Sequence, residues 1–259
     1  MLHADTSVRE PEMDKVRLAY TSSGHIFISP GDDPGRIIDA IMETGYKEEE
    51  CLSLDFDPVF AAGLMAEGFL LMSAPAHTED SIITVLVPKH HLWRSVLFFG
   101  DLHQSGSAKR ILSRYELRAD DDFDLIVDKC IAVHGDGWLT PPLIDLIRKI
   151  RGNNDPRARP FSFGVYRDGL LRAGEFGIVA GRVYTSYSGY REENNAGTVQ
   201  MILTSHWLGD HGFAFWDLGM PLDYKEKLGA KVLSTREFIR IFREARKGTP
   251  EKFSYKETF

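Results

Sequence analysis

Residues 159–190, "RPFSFGVYRDGLLRAGEFGIVAGRVYTSYSGY", read as three antiparallel strands joined by two tight reversals. Aromatic and β-branched residues fill the runs, and Asp168-Gly169 and Ala180-Gly181 fall where hairpin turns are wanted. A helix from about Asp122 and a second over "TPPLIDLIRKIRG" (140–152), entered by Thr140 and two prolines, precede the strands. After them come a helix opened at Asn194 or Asn195, a strand at 213–216, a helix near 222–228 and a last one from about Thr235 to Lys247.

That order of helix, helix, three strands, helix, strand, helix predicts an α+β domain of the acetyltransferase-like (GNAT) type. Upstream, "GHIFISP" (24–30) is a strand ended by Pro30. "DDPGRIIDAIMETG" (32–45) has Asp33 as cap, Pro34 at the first helical position and Gly45 at the stop. Asp57, Pro58 and Gly68 repeat that grammar, and "FLLMS" and "SIITVLV" are strands. The expected organisation is a flexible N-terminus (1–16), a small N-terminal α+β domain (17–112) and the acetyltransferase-like domain (113–259).

Composition sets outer limits. A hydrophobic content of 43% and a charged content of 27% suit a soluble globular chain. Cys51 and Cys130 make no disulfide framework, no signal-peptide core opens the chain, and no run approaches a membrane span. A cytoplasmic protein, monomeric and without membrane contact, is expected. His90, His91, His103, His134, His206 and His211 lack the spacing of a metal site, so no metal is expected. Nucleophile-elbow, Walker and Rossmann patterns are absent. The "REENNAGTVQ" turn places two glutamates where coenzyme A would set its pyrophosphate, so no cofactor is expected either.

The net charge of −7 counts against a surface built throughout for nucleic acid, yet two basic stretches stand out. One holds Arg148, Arg151 and Arg157; the other places Arg236, Arg240 and Arg243 on one helix face. Both fit contacts with an RNA backbone, and both fit a solvated helix surface. Trp138, Tyr184, Leu203 and Trp207 belong to an aromatic and apolar group that suits either core or a pocket. Asp217, at the end of the 213–216 strand, is either a cap or an acid at the mouth of a crevice.

From Tyr184 to Ile239, "ENNAG", the aspartate of "WDLGM", "LGA" and "REF" fall in one ungapped register. With "GWLTPPLIDLI" upstream, and more weakly "AEGFLLMS" and "VLFFGDLH", this resembles the leucyl/phenylalanyl-tRNA–protein transferases. The resemblance implies a small N-terminal domain and an acetyltransferase-like domain. It also implies transfer of an apolar amino acid, leucine or phenylalanine, from aminoacyl-tRNA to the α-amine of a protein or peptide N-terminus, in an N-degron reaction. Asp217 then matches the acid that orients the incoming amine, and its change to Asn is expected to shift the melting temperature by only a few degrees. Trp138, Tyr184, Leu203 and Trp207 match the donor pocket, which Tyr187, Ser188, Gly189 and Gly219 complete. Tyr187 stands at the family's glutamate, Gly189 at a methionine and Gly219 at a glutamine. "LLM" (70–72) replaces its "FPW". A non-catalytic protein holding a peptide N-terminus or an RNA end, and an acyltransferase with another donor, remain alternatives.

Overall fold

A computed structural model describes residues 18–78 and 80–253; the segment 1–16 lies outside the described residues. From the N-terminus, β1 (Ala19–Tyr20), β2 (Ile26–Phe27) and β3 (Cys51–Leu52) form a three-stranded sheet. Between β2 and β3 runs α1 (Pro34–Thr44), capped by Asp33, whose Oδ1 accepts from the N–H groups of Gly35 and Arg36. It stops at Gly45, which adopts φ 65°. Next, α2 (Pro58–Ala66) is apolar all round and buried from Phe60 to Ala66, as such a helix must be, between α1 and the core of the larger unit.

β4 (Leu70–His77) and β5 (Ile82–Lys89) pair antiparallel as a separate hairpin, and β6 (Trp93–Leu97) follows. A short α3 (Gly106–Lys109) leads to β7 (Glu116–Ala119), α4 (Phe123–His134) and α5 (Pro141–Asn153). The meander is β8 (Arg159–Arg167), β9 (Leu170–Ala180) and β10 (Val183–Arg191). The chain closes with α6 (Ala196–Asp210), β11 (Phe215–Asp217), α7 (Asp223–Lys227), β12 (Lys231–Ser234) and α8 (Thr235–Ala245). Among the described residues the large sheet has seven strands in the order β12-β6-β11-β10-β9-β8-β7.

The expected α+β class and the order of elements after residue 122 are both found. Asp168 and Gly169 adopt φ 54° and 75°, the paired positive values of a two-residue hairpin turn. Gly181 turns the next hairpin so close to the end of α8 that a Cβ there would lie 2.2 Å from the Arg246 carbonyl oxygen. One face of the meander packs on α4 and α5 through Phe123, Ile126, Leu143, Phe176 and Ile178. The other packs on α6 through Phe161, Phe163, Tyr184, Ile202 and Trp216.

Two features differ from expectation and matter for the site. The strand expected at 213–216 lies at Phe215–Asp217, because Asp217 is paired on both sides, with Thr185 of β10 and Val96 of β6. And β6, from the segment before residue 113, is hydrogen-bonded between β11 and β12, so the N-terminal unit contributes a strand to the large sheet.

Candidate functional site

β10 and β11 run parallel only from Val183↔Phe215 to Thr185↔Asp217. Past that point β10 bulges against β9, where Ser186 faces Gly177 and Ser188 faces Phe176, leaving Tyr187 as the extra residue. β11 ends at Asp217 and the chain turns away at Gly219, φ 74°. The strands therefore part at their carboxyl ends, the position where open sheets of this kind take ligands. Gly177 permits the bulge, since a Cβ there would sit 2.1 Å from the Thr185 carbonyl oxygen and 2.9 Å from the Tyr184 ring.

Asp217 stands at this parting, but it is fully buried and fully engaged. Arg94 of β6 donates Nε to Oδ1 at 2.9 Å and Nη2 to Oδ2 at 2.7 Å. Thr185 Oγ1 donates to Oδ2 at 3.0 Å and the Gly219 N–H to Oδ1 at 2.9 Å. Four donors occupy the carboxylate's acceptor sites, so in this structure no lone pair remains for an incoming amine. Arg94 is equally buried; it also donates to the Gly68 carbonyl and lies over the Phe238 ring at 4.5 Å. The ion pair ties β6, β10, β11 and the Gly219 turn into one unit. The expectation that Asp217 could be changed at little cost in stability fails on this geometry.

On the α6 side of the same parting lies an acid that the sequence reading passed over. Glu175 of β9 is 6% exposed, and its Oε2 accepts from Ser186 Oγ at 3.1 Å. Ser186 in turn accepts from Trp216 Nε1 at 2.8 Å. Tyr184 and Gln200 also face Glu175, yet neither its Oε1 nor the Tyr184 hydroxyl has a partner in hydrogen-bonding geometry. Burial pushes the Glu175 carboxyl up to about 8, so it is largely protonated at neutral pH. Lys225 of α7, 6% exposed, donates to the carbonyls of Leu218 and Met220 at 2.5 and 2.8 Å. Burial brings its ammonium down to about 8, against the pull of Asp217 and Glu175. The turn carrying it exposes Met220, Leu222 and Tyr224, and the Tyr224 hydroxyl lies within the field of Glu175.

The other residues expected in a donor pocket are spread over three packed groups. Trp138 and Tyr187 lie against the α4 side, where the Tyr187 hydroxyl accepts the Leu71 N–H at 3.0 Å. Ser188 follows Tyr187 in the bulge and lies near Cys130 of α4. Tyr184 and Trp207 belong to the α6 side, where Trp207 stacks on His211 at 3.7 Å. Leu203 packs near Val165 and Ala173, by Tyr115 and Leu117. Gly189 is exposed and pairs with Glu175. Around the bulge the structure sets Tyr184, Ser186 and Glu175 on the α6 face with Gly189 paired to Glu175, Tyr187 on the opposite α4 face, and Gly219 in the turn held by Asp217. Burial raises both Cys51 and Cys130 to about 12, as for unreactive thiols.

Most of the expected RNA-binding cations are engaged within the fold. Arg148 pairs with Asp124 and Asp128; Arg151 pairs with Asp120 and lies over Phe123; Arg157 pairs with Asp155 and donates to the Val59 carbonyl. Arg236 donates to the Met42 carbonyl, while Arg243 bridges Asp39, Glu67 and the Gly35 carbonyl. Arg240 is exposed beside them on α8. Arg243→Glu is accordingly expected to destabilise the protein by on the order of 2 kcal/mol, because charge-assisted hydrogen bonds are lost. An unchanged urea midpoint for that variant would contradict this placement. Arg240→Glu should leave the midpoint where it is.

Residues 96–243 match the family model for leucyl/phenylalanyl-tRNA protein transferase. A protein of that name from Pseudomonas putida (strain W619) is 32% identical over 150 residues, covering 56% of this chain and 65% of the relative. Its counterpart from Pectobacterium atrosepticum is 28% identical over 149 residues, covering 56% and 62%. The matched part of this chain thus spans a little under two thirds of the length of these relatives. Among solved structures, FemX is similar at a TM-score of 0.42 and 12% identity, covering 90% of this chain and 84% of that one. A GCN5-related N-acetyltransferase from Kribbella flavida is similar at 0.33 and 13% identity, covering 80% and 77%.

Proposed function

The chain belongs to the leucyl/phenylalanyl-tRNA protein transferase family, and we propose that it moves an amino acid from aminoacyl-tRNA to the α-amine of a protein or peptide N-terminus. The observation carrying this reading is the parting of β10 and β11 at the Ser186–Ser188 bulge, with buried ionisable groups on either side. The reaction is attack of an amine on an activated ester. It calls for positioning and charge stabilisation rather than a covalent nucleophile, which agrees with two unreactive thiols. Lys225, held by two carbonyls of the turn, is suited to offset negative charge developing on the ester carbonyl oxygen. Asp217 contributes indirectly, by fixing Thr185 and the Gly219 turn.

The finer reading is an N-degron reaction in the cytoplasm, with a monomeric enzyme and an acceptor that begins with a basic residue. Among the described residues no helix is long and apolar enough to cross a membrane. Arg240 and the 148–157 stretch are the proposed tRNA contacts. Because most neighbouring cations already have protein partners, the salt dependence should be shallow, with about one unit of slope lost per phosphate contact removed.

One observation favours the second reading, a binding protein without turnover: the carboxylate expected to orient the acceptor is sealed by Arg94. Incubation with separately charged tRNAs and a panel of N-terminal peptides, read by mass spectrometry, decides between the two. The proposal expects extended peptide with at least one donor. Binding of charged tRNA without extension of any peptide would leave the second reading.

A further inference from the structure

The resemblance to the family implies an apolar pocket for the donor side chain. Its place in this chain is not apolar. Tyr184 and Gly189 match that pocket, and Glu175 lies beside them on the α6 face: it pairs with Gly189, borders Tyr184 and bonds Ser186 beside the bulge. A Cβ on Gly189 would lie 3.2 Å from the Cβ of Glu175, so the missing side chain leaves the exposed end of β10 without cover beside the stem of the acid, while its carboxyl stays buried. At the family's glutamate position stands Tyr187, whose hydroxyl is occupied by the Leu71 N–H. The acid beside the bulge thus comes from β9 and lies on the α6 face, whereas Tyr187 lies on the α4 face.

Resting on the transferase reading, we infer that Glu175, with Tyr184 and Ser186, selects a donor amino acid whose side chain carries an uncharged hydrogen-bonding group, a hydroxyl or an amide. Three observations support it. A buried carboxyl oxygen and a buried phenol hydroxyl face each other without meeting in hydrogen-bonding geometry, an arrangement that is costly unless a ligand or water bridges them. A largely protonated carboxyl can both donate and accept, as a hydroxyl or amide requires, while an aliphatic side chain would leave both groups unmet. A cationic donor is disfavoured, because Lys225 already sets a buried positive charge in the field of Glu175. Discrimination of this polar kind is steep: a site built to hydrogen-bond its substrate rejects analogues lacking the group far more strongly than one methylene is rejected.

The test uses stable amide-linked 3′-aminoacyl-adenosine analogues carrying seryl, glutaminyl, leucyl, phenylalanyl and lysyl groups, titrated into the full chain by calorimetry. Transfer from the matching charged tRNAs is measured alongside. Seryl or glutaminyl analogues should bind at least tenfold more tightly than leucyl or phenylalanyl, with the same order in kcat/KM. Glu175→Gln should keep that order and Glu175→Leu should reverse it, with folding of each variant checked by circular dichroism. Tightest binding of the leucyl, phenylalanyl or lysyl analogue by the native chain would overturn the inference, whatever the variants do. So would a polar preference untouched in folded Glu175→Leu. The expected binding order without turnover would uphold this site and remove the transferase reading, so the two failures are distinguishable.

Discussion

Asp217→Asn is expected to destabilise the protein by about 3–5 kcal/mol, because it leaves the Arg94 guanidinium buried without a counter-charge. For a chain of this size that corresponds to a fall of roughly 6–20 °C in Tm. The loss follows from desolvation rather than from the worth of the pair. Arg94→Met combined with Asp217→Leu should therefore recover much of it, since neither charge is then stranded. Thermal unfolding of the single and double variants checks both statements. A single variant within a degree or two of the parent would mean that the carboxylate is not sealed as the geometry has it.

Gly177→Ala should be nearly as damaging, and for a local reason. A methyl group 2.1 Å from the Thr185 carbonyl oxygen cannot be accommodated by rotating a side chain, because its nearest neighbour is backbone. Either β9 and β10 separate or the bulge re-forms one residue away, at a cost of roughly 3 kcal/mol. Both outcomes move Ser186 and Tyr187, so ligand binding at the parting should be lost even in molecules that remain folded. A variant with native melting and native binding of aminoacyl-adenosine analogues would contradict the part given to the bulge.

Local grammar was legible where it involves a few neighbouring residues. Asp33 with Pro34 and Gly45, Asp57 with Pro58, and the Asp168-Gly169 turn each work through contacts within one turn of chain. The site was legible only in outline. Asp217 stood out, but its partner Arg94 lies 123 residues earlier, and nothing in the "HHLWRSVLFFG" run shows that its strand inserts beside β11. Glu175, between Gly174 and Phe176, looks like an ordinary solvent-facing strand residue. Its burial depends on α6 covering that face, and the gap beside its stem on the missing side chain at Gly189. The basic stretches were visible as clusters, while their pairing with Asp124, Asp120, Asp155 and Asp39 is a tertiary fact.

Hydrogen exchange of the native chain with and without a stable aminoacyl-adenosine analogue tests most directly whether the parting of β10 and β11 is the donor site. Protection is expected at 184–189 on the bulge and at 217–225 along the turn that carries Lys225. An apolar groove lined by Ile41, Tyr46, His90, Trp93 and Arg236 lies elsewhere and serves as the internal comparison. Protection confined to 41–46, 90–93 and 234–236, with 184–189 and 217–225 unchanged, would contradict the account.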